Sequence, residues 1–195
     1  VTYTLDELFD MEMAQLDLEH GREPDPKSWR WSPSDIRDWA EMLDVAINYY
    51  KRTDSQCTGR ISIWEAGSGI GTKLAWAKQK GLIEYGFEKF ADYVAAAHLL
   101  DVQCEIRDLS DLDNQPSWNV PDIVFTARPF KNDVFEVKWE QLVQDRMRPG
   151  AVLMSTFTAR KPRRWPCLYR VGFRGVWVKP VPPSPDAEDV QSVVI

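Results

Sequence analysis

The stretch Ile61-Ser62-Ile63-Trp64-Glu65-Ala66-Gly67-Ser68-Gly69-Ile70-Gly71-Thr72-Lys73 decides how this chain is read. An apolar run, Ile61 to Trp64, leads into a glycine-rich turn, and a helix-like stretch, Lys73 to Lys80, leaves it. Strand, glycine turn, helix is how an α/β protein brings backbone against a nucleotide-like ligand. A Cβ there would block the approach or forbid the positive φ of the turn. The helix start adds N–H groups and a positive dipole end that suit an anion. The spacing then narrows the ligand. A dinucleotide fingerprint beginning at Gly67 needs its third glycine at position 72, which is Thr72; the glycines fall at 67, 69 and 71 instead. A P-loop needs Gly-Lys-Ser/Thr at a set distance, and none follows.

Outward from this turn the pattern alternates. Strands are expected at 61–65, 82–87, 103–107, 122–127 and 151–157, and helices at 72–80, 89–100 and 133–147, with Gly81 and Gly150 as stops. Such alternation argues an α/β fold: a parallel sheet, helices on both faces, and the loops that follow each strand gathered along one edge. The end differs. Cys167–Gly172 and Val176–Pro180 are β-like runs separated by Phe173-Arg174-Gly175, which predicts a hairpin. At the other end, Thr4 and Glu7 form a capping box for a first helix with Leu5, Leu8, Phe9 and Leu16 on its apolar side. Residues 21–31 are loop-like. Ser32, Pro33 and Asp35 open a second helix, whose Ile36, Trp39, Ala40, Leu43, Ile47 and Tyr50 recur at helical spacing and should pack onto the body.

Composition excludes several classes. The 195 residues suffice for one core, and no apolar run is long enough to span a membrane. The chain opens acidic, without a positively charged then apolar leader. Cys57, Cys104 and Cys167 make no CxxC pair, which argues against a disulfide framework or zinc site and fits a reducing cytoplasm. With only His20 and His98, a His-rich metal site is not expected. Charge is uneven: residues 1–60 carry 13 acids and 7 bases, residues 128–180 carry 4 acids and 12 bases. The second segment suits an anionic partner or is simply a solvated face.

Two further acids stand at strand tips. The second strand ends in Glu88, 21 residues after Gly67, where carboxylate oxygens can accept from both hydroxyls of a ribose diol. The third ends in Asp108-Leu109, where an acid can accept from an exocyclic adenine amine. Together these parts resemble the class I S-adenosylmethionine (SAM)-dependent methyltransferases. Glu65 to Gly71 matches the family's first motif, Tyr85-Gly86-Phe87-Glu88 its acidic strand end, and Arg107-Asp108-Leu109 its adenine turn. Pro121-Asp122-Ile123-Val124-Phe125-Thr126 is similar to its fourth strand. Met147-Arg148-Pro149-Gly150-Ala151-Val152-Leu153 is similar to its Pro-Gly-Gly turn into the fifth, with Ala151 replacing one Gly.

The resemblance implies a single Rossmann-like domain with a seven-stranded, mostly parallel sheet, a C-terminal antiparallel hairpin and two N-terminal helices. Residues 1–60 would be a helical cap or lid, 61–180 the SAM-binding core, and 181–195 a proline-rich tail. It implies SAM as cofactor, held by Glu65, Ala66, Gly67, Ser68, Gly69, Gly71, Glu88, Lys89, Asp108, Leu109 and Thr126. Glu65 would serve the amino group, Glu88 the ribose and Asp108 the adenine. Because the cofactor carries its own electrophile, neither a catalytic triad nor a metal is required.

The acceptor is less legible. Family members that methylate base amines carry Asn/Asp-Pro-Pro-Tyr/Phe after the fourth strand; this chain has Ala127-Arg128-Pro129-Phe130, without the carbonyl that would accept the amine hydrogens. Arg128 can clamp a carboxylate or phosphate and Phe130 can stack on a planar acceptor, with Pro129 between them. Trp29 and Trp31 are candidate lid residues. The run Arg160-Lys161-Pro162-Arg163-Arg164-Trp165 can track a nucleic-acid backbone or be a solvated loop. A small molecule or an anionic acceptor, nucleic acid included, fits this set. Asp111, Asp133 and His20 are candidate bases with no motif behind them. Cys167 reads as structural and His98 as a core side chain. The competing interpretation, resting on Ala127 and the missing base, is a non-catalytic module that keeps the fold and the ligand.

Overall fold

The computed structural model describes residues 1–20, 35–53, 59–111, 113–127, 133–156 and 164–182. In chain order the elements are α1 (Leu5–His20), α2 (Ile36–Thr53), β1 (Ser62–Ala66), α3 (Thr72–Gln79), β2 (Ile83–Glu88), α4 (Ala91–Leu99), β3 (Cys104–Ile106), β4 (Ile123–Thr126), α5 (Asp133–Arg146), β5 (Val152–Ser155), β6 (Cys167–Val171) and β7 (Arg174–Val178). The strands form one seven-stranded sheet in the order β3-β2-β1-β4-β5-β7-β6. The first five pair in parallel; β7 pairs antiparallel with β5 and with β6. This is the Rossmann-like α/β sheet expected from the alternating pattern, with its antiparallel hairpin.

Side chains alternate between two faces because successive residues of a strand point to opposite sides. Ile63, Ile123, Phe125, Val152, Met154, Val176 and Val178 pack with α2 residues Trp39, Leu43, Ala46 and Tyr50. Trp64, Ala66, Phe87, Val124, Leu153 and Trp177 pack with Trp118, with Trp139 and Val143 of α5 and with Met147 just beyond it. β4 and β5 are buried along their whole length, as strands covered on both faces must be. α1, α3 and α4 pack together through Leu8, Leu74, Ala75, Val94 and Ala97 beside β3.

One local expectation holds and three change. The Thr4–Glu7 box forms, with the Glu7 carboxylate accepting from Thr4 N at 2.7 Å and Thr4 Oγ1 accepting from Glu7 N at 3.2 Å. At α2 the cap is Asp35, whose Oδ1 accepts from Arg37 N at 2.9 Å, and the helix starts at Ile36. Ser32 and Pro33 lie outside the described residues. The hairpin turn is Gly172-Phe173, so Arg174 and Gly175 belong to β7, where they pair with Val171 and Arg170. Gly175 is placed there because a Cβ would come within 2.3 Å of the Trp177 ring. Finally, His98 is not in the core: it lies on the exposed side of α4, its Nε2 2.9 Å from the Cys104 carbonyl oxygen. Cys167 is exposed, its thiol donating to the Tyr169 carbonyl at 3.3 Å.

Candidate functional site

The C-terminal ends of β1, β2 and β4 meet at one edge, in register: Ala66 faces Phe87 on one side and Thr126 on the other. From there the glycine turn folds back over the sheet. The Phe87 carbonyl accepts from both Gly67 N (2.8 Å) and Ser68 N (3.1 Å), and Gly71 N donates to the Ser68 carbonyl at 3.0 Å. Gly67, Gly69 and Gly71 all have positive φ, of 73°, 54° and 80°. Gly71 ends the turn as the residue before α3, and a Cβ on it would lie 2.8 Å from both Ala97 Cβ and Val102 Cγ2. It is what lets α3 sit against α4. Gly86 performs the matching task beneath the turn, since a Cβ there would lie 2.6 Å from Ser68 Oγ.

Glu88 is buried at the tip of β2. Its Oε2 accepts from Gly69 N at 2.9 Å and its Oε1 from Lys89 N at 2.7 Å. The acid therefore braces the turn as well as standing beside it. Lys89 is half-buried, with its Nζ 5.7 Å from the Phe90 ring centre. Asp108 is exposed and closes its own turn, Oδ1 accepting from Ser110 N at 2.8 Å, while the neighbouring Leu109 is buried against the Phe87 and Trp118 cluster. Thr126 is buried at the tip of β4, its Oγ1 accepting from Trp139 Nε1 at 3.3 Å. Arg128, Pro129, Phe130, Trp29 and Trp31 lie outside the described residues, as do Arg160 to Arg163.

Below the turn is a buried charge cluster that sequence patterning only half revealed. Glu65, the penultimate residue of β1, is 2 % exposed, and its Oε2 has no hydrogen-bond partner among the described residues. Burial pushes its carboxyl up to about 8; Lys73 draws it down, and Glu12 and Glu88 push it further up. Glu12 comes from α1 and is fully buried. Its Oε1 accepts from Thr72 Oγ1 at 2.6 Å and from Lys73 Nζ at 2.7 Å. Glu12 thus places an acid of the protein's own against the start of α3. Glu12 was legible in principle: it falls at helical spacing from Leu5 and Leu8, an acid on an otherwise apolar face. Among the described residues no group of acids, cysteines and histidines could hold a metal ion, and no helix is long and apolar enough to cross a membrane.

No family model matches the sequence, and no curated protein does. Solved structures do. An RNA methyltransferase from Salinibacter ruber, crystallised with S-adenosyl-L-homocysteine, superposes over 76% of this chain and 94% of its own, with a TM-score of 0.55 and 20% identity. The chain shares the fold of that methyltransferase. The bifunctional kinase-methyltransferase WbdD gives the same TM-score of 0.55 at 10% identity, over 84% of this chain and 46% of that one. This chain therefore spans less than half of WbdD. Within this fold, the glycine turn, Glu65 and Glu88 lie at the sheet edge where α/β proteins bind their ligands.

Proposed function

We propose that this protein is a SAM-dependent methyltransferase. The observation that carries the proposal is the Glu65 carboxyl oxygen Oε2, buried and without a partner among the described residues beneath a turn of three positive-φ glycines. A buried carboxyl oxygen without a partner is costly and leaves room for a donor, here of the kind an ammonium supplies; Glu12 Oε2 is bare as well. The residues present fit the cofactor: Glu65 for the amino group, the Gly67–Gly71 backbone for the methionine part, Glu88 with Lys89 for the ribose, Asp108 and Leu109 for the adenine. Bound there, SAM supplies an electrophilic methyl group. The chain's contribution is to fix the turn through Glu88 and Phe87, to exclude water with the α1 and α3 packing, and to present an acceptor from the loop after β4.

The acceptor we propose is a small molecule or an anion, nucleic acid included. Arg128 and Phe130 follow β4 directly, and the S. ruber relative in fold is an RNA methyltransferase. Ala127 in place of an amide or acid speaks against a base amine as the methylated group. A non-catalytic SAM-binding module is the competing interpretation, favoured by the same Ala127.

Titration calorimetry with SAM tests the proposal. Binding to the wild type is expected, weakened about 10- to 100-fold by Glu88→Ala, the loss that follows removal of a charged acceptor from two hydroxyls. A folded protein that gives no heat at millimolar SAM refutes it. Transfer of label from SAM to an acceptor in a lysate separates enzyme from binding module.

A further inference from the structure

The cluster beneath the turn contains three buried acids, Glu12, Glu65 and Glu88, and one buried cation, Lys73. Lys73 lies in the first turn of α3, where the helix dipole disfavours a positive charge and no side chain caps the helix. Its charge draws the Glu65 carboxyl down, against burial, Glu12 and Glu88, which push it up. Yet its hydrogen bond goes to Glu12 Oε1 at 2.7 Å, while Glu65 Oε2, like Glu12 Oε2, has no partner among the described residues. A lysine beside an unpaired buried carboxylate would satisfy it unless something else held the ammonium more firmly. Glu12, fully buried and also bonded to Thr72 Oγ1, is that something.

We propose that Glu12 is a positioning residue that holds the Lys73 ammonium off Glu65, keeping the cation site beneath the glycine turn open to an external ammonium instead of being filled by the protein's own lysine. The external ammonium part rests on the cofactor assignment above; the choice of partner by Lys73 does not. The arrangement makes α1 part of the binding site without touching the ligand. It also states a charge balance: with three acids, Glu12, Glu65 and Glu88, against the one cation Lys73, the cluster is two positive charges short, and the one at Glu65 is missing. In the ligand-free protein a proton on Glu65 supplies it, and an arriving ammonium displaces that proton to solvent.

The test compares the wild type, Glu12→Gln, and Glu12→Gln with Lys73→Met added. Two readouts are taken at pH 7. The first is the carboxylic-acid infrared band of Glu65 in ligand-free protein, identified by its loss in Glu65→Gln. The second is SAM affinity by calorimetry. In Glu12→Gln, Lys73 is expected to turn to Glu65, so the acid band disappears and SAM binding weakens about 10- to 100-fold. Adding Lys73→Met is expected to bring the band back and to restore affinity to within roughly threefold of the wild type. A purely structural role for Glu12 predicts no rescue. The inference is overturned if Glu65 stays protonated in Glu12→Gln, if the double variant remains as weak as the single, or if Glu12→Gln unfolds while the double variant folds. If the wild type binds no SAM, the functional proposal falls and the infrared comparison alone decides the role of Glu12.

Discussion

Replacing Glu65 by Gln should make the ligand-free protein more stable at high pH while changing little at pH 5. The folded carboxyl titrates near 8 against an ordinary value of 4.5, with burial as the main cause. Below pH 4.5 the group is protonated in both folded and unfolded chains and contributes no pH dependence. Between 4.5 and 8 the unfolded chain ionises freely and the folded chain does not. Unfolding then releases a proton, and stability falls as pH rises. Above 8 the folded group ionises too and the loss levels off. At about 1.4 kcal/mol per pH unit the full window is worth on the order of 3–5 kcal/mol. Glutamine matches the neutral acid in shape and cannot ionise, so it escapes this loss. Urea unfolding of both proteins at pH 5, 7 and 8.5 measures it, and the difference between the two isolates Glu65 from every other titrating group. Parallel stability curves for the two proteins would refute the argument, because Glu65 would then be ionised and stabilised within the fold.

Gly71→Ala should cost about 2–5 kcal/mol, combining left-handed backbone strain with overpacking against Ala97 and Val102, and lower the melting temperature by roughly 5–15 °C in calorimetry. Tyr50→Phe should cost about 1–2 kcal/mol in urea unfolding, since the Tyr50 hydroxyl lies 2.5 Å from the Asp122 carbonyl and 3.2 Å from that of Gly150; SAM affinity should not change. Cys104, buried beside Ser68 and with its thiol pushed up to about 11 mainly by burial, should resist iodoacetamide at pH 8, whereas the exposed Cys167 should be alkylated under native conditions, as mass spectrometry of peptides would show.

Much of the fold was legible because its signals are local. The Thr4–Glu7 box, the glycine stops and the strand-turn-helix at 61–79 each lie within a few residues, and the strands fall within one or two positions of where their apolar runs place them. The first residue of α2 is not legible because Ser32, Pro33 and Asp35 are all good helix openers, and only the bond from Arg37 N singles out Asp35. The hairpin turn shifted because Phe173-Arg174-Gly175 has turn-like composition, while Gly175 is required by the Trp177 ring packed over it. At the site, Glu65 and Glu88 stand where the motif puts them, and their surroundings could not be seen. Glu12 meets Lys73 across 61 residues of sequence, and Gly86 meets Ser68 only after β1 and β2 pair. Local pattern can mark an acid on an apolar helix face as odd; it cannot name the partner.

The position of β7 has a consequence for the growing chain. β5 is buried along its length, but one of its hydrogen-bonding edges is taken by β7, which is synthesised after β6 and then inserted between β5 and β6. As the polypeptide leaves the ribosome, an apolar Val152–Ser155 strand therefore waits with an open edge until residues 174–178 have emerged. An open apolar edge of this kind favours aggregation. Stalling or truncation between residues 156 and 174 should yield inclusion bodies, whereas a stop after residue 182 should not.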